Sequence, residues 1–366
     1  MNIEYKERVL PVFEAAQYLK NRFTKHRLND VIDGFQKIPA IMNSGDWTFY
    51  KAVGDIEREL DDMLEPDELM RRYFEPIQTN EAMPENNDLT FGGMLLVLPD
   101  IPKEDVSYDD IIDFYRNSSS EAVVGHLFRS SLAPFFVNED EGCESMAQFM
   151  EAVDRTVTKL DDKWLLIDAA INPVKHLERI RPLVSSAADH ISKRSEDFKT
   201  LIDTVREDFL KEPSVSRLGI SLEPAEGMKV VIYPSIFQFF GTNFTSSEEN
   251  GVRLIVGVFV LKGLEIRGKI ADSRVYTRLL KLLSDSTRFE VLHEMCDKMT
   301  FGMELAEKFG CTRSAMYYHL ERLASFGLAE LQMSDYRMLY TMNKRNVYDK
   351  LNAMRDYLLN GWKPEG

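Results

Sequence analysis

The chain has few cysteines, with only Cys143, Cys296 and Cys311 among its 366 residues. Three thiols cannot build a disulfide framework, and their spacing matches no paired zinc-ligand motif. We therefore expect the three cysteines to be reduced and to serve structural roles.

Long apolar runs are also missing. A membrane helix needs about 18 or more consecutive apolar residues. The longest apolar run here, residues 254–261, is short and is flanked by Arg253 and Lys262. The chain begins M-N-I-E-Y-K-E, which places charges where a signal peptide requires an apolar segment. These absences predict a cytoplasmic protein that makes no membrane contact.

Positive charge is in deficit, because 45 Lys and Arg residues face 60 Asp and Glu residues, a net charge of −15. Such an excess argues against nucleic-acid binding by the chain as a whole, since DNA is a dense polyanion. Residues 272–366, however, carry 14 basic and 13 acidic residues, a net charge of +1, which leaves −16 for the first 271 residues. This split predicts two domains with separate roles, residues 1–270 and 271–366.

The sequence lacks the common catalytic fingerprints. It contains no P-loop, no dinucleotide-binding motif and no G-x-S-x-G motif. His176 is followed by Leu and Glu but not by the second histidine of a zinc-protease helix. His293 and Cys296 lie three residues apart, without a second cluster of metal ligands nearby. We expect no enzymatic activity, no metal and no cofactor.

What is present in the first 270 residues is a helical pattern followed by short strands. Apolar residues recur at helical spacing through the first half, Pro173 marks a break, and residues 183–210 are predicted to form one helix that begins near Pro182. After it, three β-branched runs read as strands: residues 216–222, 228–233 and 252–261. The third is almost wholly apolar, which predicts a central strand. The fold class is therefore helix-rich α+β.

An aromatic segment follows the second of these strands. Four phenylalanines occur within residues 237–244, shortly after Tyr233. Small-molecule pockets are mostly apolar and aromatic, so Tyr233, Phe237 and Phe240 are candidates for an effector pocket. The alternative is that these rings fill the core.

The last hundred residues show a distinct order of elements. An apolar helix face that includes Phe289 precedes a short helix, residues 302–309, which Thr300 can cap and which Gly310 ends. Thr312 can cap the next helix, residues 313–326. Two short helices joined by a tight turn that contains glycine are typical of a helix-turn-helix unit, whose second helix enters the major groove of DNA.

Two alternating segments and a final helix complete this domain. Residues 328–333 and 338–342 surround a polar turn that carries Arg337, which predicts a hairpin, or wing. Residues 346–359 form a helix with an apolar face that needs a partner. We expect a second copy of the chain to cover it, because dimers match palindromic operators.

These residues resemble the ArsR-type winged helix-turn-helix regulators over about a quarter of the chain. The opening helix of that family is similar to residues 279–292, L-L-K-L-L-S-D-S-T-R-F-E-V-L, and its second motif helix to residues 304–310, E-L-A-E-K-F-G. Its recognition helix resembles residues 312–323, T-R-S-A-M-Y-Y-H-L-E-R-L, which are followed by F-G-L at 326–328. The resemblance implies sequence-specific DNA binding. Members with a long N-terminal domain resemble residues 1–270 more weakly.

The sequence departs from the family at two places. Ser286 replaces the usual proline of the opening helix, and Phe301 and Met303 stand where the metal-sensing members carry two cysteines. A thioether and a phenyl ring cannot replace thiolates on a soft metal. We therefore expect an effector other than a metal, either a small molecule or a peptide.

The candidate DNA-contacting residues share basic, aromatic or hydroxyl side chains at positions that reach a groove or the backbone. Arginine is the commonest reader of guanine, and phosphate contacts fix the register of a protein on DNA. The candidates are Arg313, Ser314, Tyr317, Tyr318, His319 and Arg322 of the recognition helix, Arg337 of the wing, and Lys281 and Arg288 ahead of the motif. We expect Tyr317 and Tyr318 to face the DNA.

The sequence as a whole predicts a homodimeric transcriptional regulator, acting as a repressor, that binds double-stranded DNA. Two alternatives stay open: an enzyme with an appended winged helix, and a scaffold whose winged helix binds protein.

Overall fold

The structure is a computed structural model of the chain. It describes residues 2–24, 27–28, 48–79, 89–99, 101, 103–132, 143–211, 220–222, 229–239, 241–247, 251–260, 273–334 and 337–359. The protein is helix-rich with small sheets, so the predicted α+β class is confirmed. Among these residues no helix has both the length and the apolar character to cross a membrane.

The chain forms two compact units. Unit 1 comprises Met1–Lys211 and Met228–Val260, and unit 2 comprises Glu212–Gly227 and Leu261–Gly366. The division predicted between residues 270 and 271 therefore falls within unit 2. Residues 212–227 interrupt unit 1 along the chain and belong to unit 2, which no sequence pattern indicated.

Helices make up most of unit 1. They are α1 (Pro11–Asn21), α2 (Thr48–Met63), α3 (Glu68–Phe74), α4 (Phe91–Leu95), α5 (Tyr108–Asn117), α6 (Ser120–Leu127), α7 (Met146–Thr156), α8 (Leu160–Ile171), α9 (Pro173–Lys193) and α10 (Ser195–Lys211). A π-helical turn, Phe128–Leu132, follows α6. Several begin at side-chain caps, as at Ser107, whose hydroxyl accepts the N–H of Asp110 while the Asp110 carboxylate accepts the N–H of Ser107.

The two prolines of α9 lie at its start and in its interior, so the helix boundaries differ from those predicted. Pro173 is at the start of α9, where it costs no hydrogen bond, so the predicted break before it is confirmed. Pro182 lies inside α9, which ends at Lys193 with Arg194 as its C-cap before α10 begins. The prediction of one helix over residues 183–210 that starts near Pro182 is therefore wrong, because the surrounding helix tolerates the missing N–H of this proline.

The described strands form two sheets of four. They are β1 (Asn2–Tyr5), β2 (Ile220–Leu222), β3 (Lys229–Ser235), β4 (Thr242–Ser247), β5 (Gly251–Gly257), β6 (Thr300–Phe301), β7 (Ala329–Ser334) and β8 (Arg337–Met342). In unit 1 the order is β1-β3-β5-β4, with only β4 antiparallel to its neighbour. The apolar strand β5 pairs on both sides, as predicted. The edge strands β1 and β4 were not predicted, because their sequences, N-I-E-Y and T-N-F-T-S-S, lack a long apolar run.

A buried carboxyl joins α1 to the end of β3. The Glu14 side chain is fully buried, and its Oε2 accepts the N–H of Ile236 at 3.1 Å and the N–H of Phe237 at 2.9 Å. Farther along α1, the Asn21 amide donates to the carbonyl of Phe237 at 2.7 Å. Burial raises the pKa of Glu14 to about 8, although these hydrogen bonds oppose the rise. Glu14 is therefore protonated at neutral pH.

We predict that Glu14→Gln flattens the pH dependence of stability. Between its usual pKa of 4.5 and about 8, folded Glu14 holds a proton that the unfolded chain has released. The free energy of unfolding therefore falls as pH rises through this window, by up to about 1.4 kcal/mol per pH unit. A glutamine carbonyl can accept the same two N–H groups without titrating. Chemical denaturation across the window should show a smaller slope for this variant than for wild type or for the exposed Glu121→Gln. An unchanged slope would contradict the role of Glu14.

Within its described residues, unit 2 packs five helices around an apolar core. They are α11 (Ser273–Leu283), α12 (Ser286–Glu294), α13 (Gly302–Phe309), α14 (Arg313–Ser325) and α15 (Lys344–Leu359). The predicted core positions Met316, Leu320 and Leu323 are fully buried. Phe289, predicted on the apolar face, is exposed. Thr300 is not the cap of α13, because its hydroxyl donates to the Glu304 carboxylate at 2.9 Å.

The second sheet brings together strands from distant parts of the chain. Its order is β2-β7-β8-β6, in which β7 and β8 form the predicted antiparallel hairpin. The strand β6, just before α13, pairs with β8. The strand β2 pairs in parallel with β7, with Ser221 opposite Gln332. The segment between α10 and β3 thus contributes the edge strand beside the hairpin.

Candidate nucleic-acid interface

A tight turn joins α13 to α14. Gly310 ends α13 with φ +62°, a left-handed conformation that glycine adopts without strain. The N–H of Cys311 then donates to the Ala306 carbonyl at 3.1 Å. The Thr312 hydroxyl accepts the N–H of Ala315 at 3.1 Å, so Thr312 caps α14 as predicted. These local interactions fix the direction in which α14 leaves the turn.

The inner face of α14 packs against α13 and β8. The Tyr317 ring lies 6.1 Å from the Tyr340 ring, centroid to centroid. A Cβ atom at Gly302 would approach the Tyr317 ring within 2.9 Å, so glycine there lets α13 come close to this ring. Tyr317 therefore faces inward, which differs from the expectation that it faces DNA together with Tyr318.

The first residues of α14 offer fewer exposed side chains for DNA contact than the sequence predicted. Arg313 is at the start of the helix, but only 8% of the residue is exposed. A buried guanidinium cannot reach a base edge in this conformation. Base contact by Arg313 stays a prediction, and the conformation does not favour it. The backbone of Ser314 belongs to α14, whereas its side chain lies outside the described part of the structure.

The outer side of α14 carries an aromatic residue and a cation one turn apart. The Arg322 guanidinium carbon lies 5.3 Å from the centroid of the Tyr318 ring, and an Arg322 nitrogen lies 3.4 Å from the Tyr318 hydroxyl. Ala315 and Ser325 lie on the same side of the helix, opposite the buried Leu320. Stacking of this kind holds the guanidinium plane in place. Among the candidates with described side chains on α14, these two face outward.

His319 lies between α14 and α12. Its Nδ1 is 3.9 Å from the Oδ1 of Asp285, the residue that caps α12. Burial lowers the pKa of His319, and Arg288 lowers it further, whereas Asp285 opposes the change. The imidazole is therefore largely neutral at pH 7, and it contributes to the contact between the two helices rather than to the outer side of α14.

The two basic candidates ahead of the motif differ in role. The Nε of Arg288 donates to the Leu282 carbonyl at 2.8 Å, and its side chain is largely buried beside Asp285. Arg288 thus closes the C-terminal end of α11. Lys281 is exposed on α11, and so is Arg278 one turn earlier. Sequence reasoning missed Arg278, although basic residues three apart on one helix were a usable signal.

The tip of the hairpin lies mostly outside the described residues. Arg337 is the first residue of β8, with its backbone paired to Ser334, but its side chain is not described. Tyr336 lies outside the described residues altogether. Groove contact by Arg337 stays a prediction.

Two of the three proposed effector-pocket residues, Tyr233 and Phe237, are buried in unit 1. The Tyr233 hydroxyl donates to the Glu104 carbonyl at 2.7 Å, and burial raises the pKa of Tyr233. The Phe237 ring packs on Tyr18, with 5.6 Å between centroids. Phe240 lies outside the described residues. For Tyr233 and Phe237 the structure agrees with the alternative interpretation, that these rings fill the core.

One cluster in unit 1 combines groups known from catalysis. The Tyr73 hydroxyl lies 2.6 Å from Nδ1 of His176, whose Nε2 lies 2.9 Å from Asp168. Only 1% of Tyr73 is exposed, and the edge of the Phe91 ring packs against His176. A substrate cannot reach the tyrosine hydroxyl, so the cluster links α3 to α8 and α9. Across the part of the chain that the structure describes, no three His, Cys, Asp or Glu residues group into a metal site.

Comparison with known proteins found no matching family model, no similar curated protein and no similar solved structure. The likeness of unit 2 to ArsR-type regulators therefore stays a prediction from the residues quoted above. The function has to be argued from the geometry of this chain.

We predict that Arg288→Gln loosens unit 2, whereas Lys281→Gln does not. Loss of a hydrogen bond from a charged donor at the end of α11 should cost about 1 to 2 kcal/mol. An exposed lysine change should stay within about 0.5 kcal/mol. Hydrogen exchange of α11 and α12 amides, followed by mass spectrometry, should speed up only in the first variant. Unchanged exchange in Arg288→Gln would assign that guanidinium a role outside the fold.

Proposed function

We propose that this protein is a DNA-binding transcriptional regulator whose unit 2 is a winged helix-turn-helix. The observation that carries the proposal is the Gly310–Thr312 turn between α13 and α14, followed by the β7–β8 hairpin. The order and lengths of these elements are those of a helix-turn-helix with a wing. The inner face of α14 belongs to the core, and its outer side remains available to a groove.

Tyr318 and Arg322 are the proposed DNA-contacting pair. They are one turn apart on the outer side of α14, and the ring holds the guanidinium. An arginine fixed in this way can donate two parallel hydrogen bonds to guanine or to a phosphate. Ser314, beside the start of the same helix, stays a candidate for base contact. Tyr317 and His319 lie on the sides of α14 that pack against the rest of unit 2.

Phosphate contacts should be few. Residues 272–366 carry a net charge of only +1. Several basic side chains there form ion pairs with carboxylates, as Lys308 does with Glu294. Lys281 and Arg278 are exposed cations on α11. We expect roughly four to eight phosphate contacts per dimer and a correspondingly modest dependence of affinity on salt.

The last helix supplies a surface for a second copy of the chain. On its inner side, Val347 and Met354 pack against the core of unit 2. Leu351 and Leu358 belong to the same apolar face of the helix yet are 42% and 65% exposed, and Tyr348 beside them is 66% exposed. Large apolar side chains at such exposure are typical of an interface. A symmetric dimer would present two α14 helices to the halves of a palindromic site.

A strand gives unit 1 a covalent path to the proposed wing. The segment that leaves α10 contributes β2, which pairs with β7, and then continues into β3 at the centre of the unit 1 sheet. An effector of unit 1 would act on the hairpin through this covalent connection. An effector can use this path only by binding one arrangement more tightly than the other.

Fluorescence anisotropy of the full chain tests the proposal. The titration uses DNA from upstream of its own gene, with random DNA as control, over a series of salt concentrations. Wild type should bind the upstream DNA more tightly than the random DNA, and its affinity should fall as the salt concentration rises. Arg322→Ala should weaken binding to the upstream DNA by about 1 to 3 kcal/mol, or fivefold to more than a hundredfold. Arg116→Ala, which removes an exposed arginine on α5 of unit 1, is the control and should bind as wild type does.

Two outcomes of this titration would contradict the proposal. Equal and weak binding to both DNAs would favour a scaffold whose winged helix binds protein. Unchanged affinity in Arg322→Ala would remove α14 from the interface even if the chain binds DNA.

We also predict that Leu351→Glu with Leu358→Glu produces a monomer. Placing two carboxylates in an apolar interface leaves buried charges without partners. Light scattering coupled to gel filtration should give the mass of two chains for wild type and of one for the double variant, while Asp356→Asn on the same helix stays dimeric. A double variant that still dimerises would place the interface elsewhere.

A further inference from the structure

A small cleft in unit 1 lies between α1 and the strands β4 and β5 of the sheet. From α1 it is lined by Phe13, Ala16, Gln17 and Lys20, which recur at helical spacing and so share one face. From the sheet it is lined by Asn243, Thr245, Arg253 and Ile255, and from the end of α4 and the chain that follows by Gly93, Leu96, Val97 and Leu98. None of these residues has a role in the function proposed for unit 2.

Strand pairing places the polar groups of the sheet on one side. Thr245 of β4 lies directly opposite Arg253 of β5, and Asn243 lies opposite Ile255. Residues two apart on a strand point to the same face, and paired residues of antiparallel strands do so as well. The hydroxyl, the amide and the guanidinium therefore line the same side of the cleft because of the register of β4 and β5.

The Arg253 guanidinium is held in place by backbone carbonyls of the described residues. One of its terminal nitrogens lies 3.4 Å from the Pro99 carbonyl, and the other lies 3.2 Å from that of Ile101 and 2.6 Å from that of Lys103. All three acceptors are uncharged, and among the described residues no carboxylate lies within ion-pair distance of Arg253. A guanidinium has five N–H donors, so donor capacity remains beyond these three bonds. These bonds fix the direction of the guanidinium, and no carboxylate in the described part of the chain neutralises its charge.

The size of the cleft limits what it can hold. Its volume is about 40 Å³, whereas one buried water needs about 10 to 15 Å³ measured in the same way. A nucleotide, a peptide or a ring system does not fit, since pockets for drug-sized ligands are about 300 Å³ or larger. Most of the lining side chains are apolar, which favours an anion with a short hydrocarbon part over a bare phosphate or sulfate.

We infer that this cleft binds a small aliphatic carboxylate of about the size of propionate. The carboxylate accepts hydrogen bonds from Arg253 and Thr245, and the short chain lies against Phe13 and Ile255. This inference is independent of DNA binding by unit 2, because the site is built only from residues of unit 1. It would give unit 1 a ligand of defined charge and length.

Calorimetric titration of the full chain with propionate tests the inference, with propionamide as the uncharged ligand of matched size and hexanoate as the longer acid. Propionate should bind, whereas propionamide and hexanoate should give no saturable heat. Thr245→Val keeps the shape of the side chain and should weaken propionate binding about tenfold by loss of a charge-assisted hydrogen bond. Arg253→Lys should weaken it at least as much. Lys199→Gln, which removes a charge on α10, should bind propionate as wild type does.

Three results would overturn the inference. These are the absence of saturable propionate binding, equal binding of propionate and propionamide, and wild-type affinity in Thr245→Val. If Arg253→Lys fails to fold, the comparison of ligands on wild type and the Thr245→Val titration still decide the matter. A loss of DNA binding with intact propionate binding would contradict the proposed function only, so the two can fail separately.

Discussion

The close contact between α13 and α14 decides which side chains unit 2 can offer to a partner. Gly302 lets the Tyr317 ring lie against α13, and the left-handed Gly310 sets the turn between the helices. Once Tyr317 faces inward, the helical period turns Tyr318 and Arg322 outward. The proposed DNA contact is therefore a consequence of core packing, because the same contact that buries one tyrosine presents the next.

In unit 1 the helix α1 has a comparable role. Its buried Glu14 accepts two backbone N–H groups at the end of β3. On another side of the helix, Phe13 and Gln17 line the small cleft between α1 and the sheet. A group that holds the helix against the sheet also fixes one wall of the cleft. The strand β2 is covalently continuous with β3 through residues 223–228, so the unit that carries the cleft also carries the connection to the hairpin of unit 2.

Local signals in the sequence predicted the elements of unit 2 well. Thr312, Gly310 and the alternating segments of the hairpin act within a few residues, and the structure has them nearly where they were expected. Side-chain direction could not be predicted in the same way. The inward turn of Tyr317 depends on Gly302 and Tyr340, which are distant from it in sequence. The polar edge strand β4 and the parallel pairing of β2 were missed for the same reason.

The central claim is that the outer side of α14 reads DNA. The most direct test is repeated selection of bound sequences from a random DNA pool by the full chain, in parallel with Arg322→Ala. The account predicts enrichment of a palindrome for wild type, with half-sites about 10 base pairs apart or a multiple of that distance, and no enrichment for the variant. Failure of wild type to enrich any sequence, or enrichment of the same palindrome by both proteins, would contradict it.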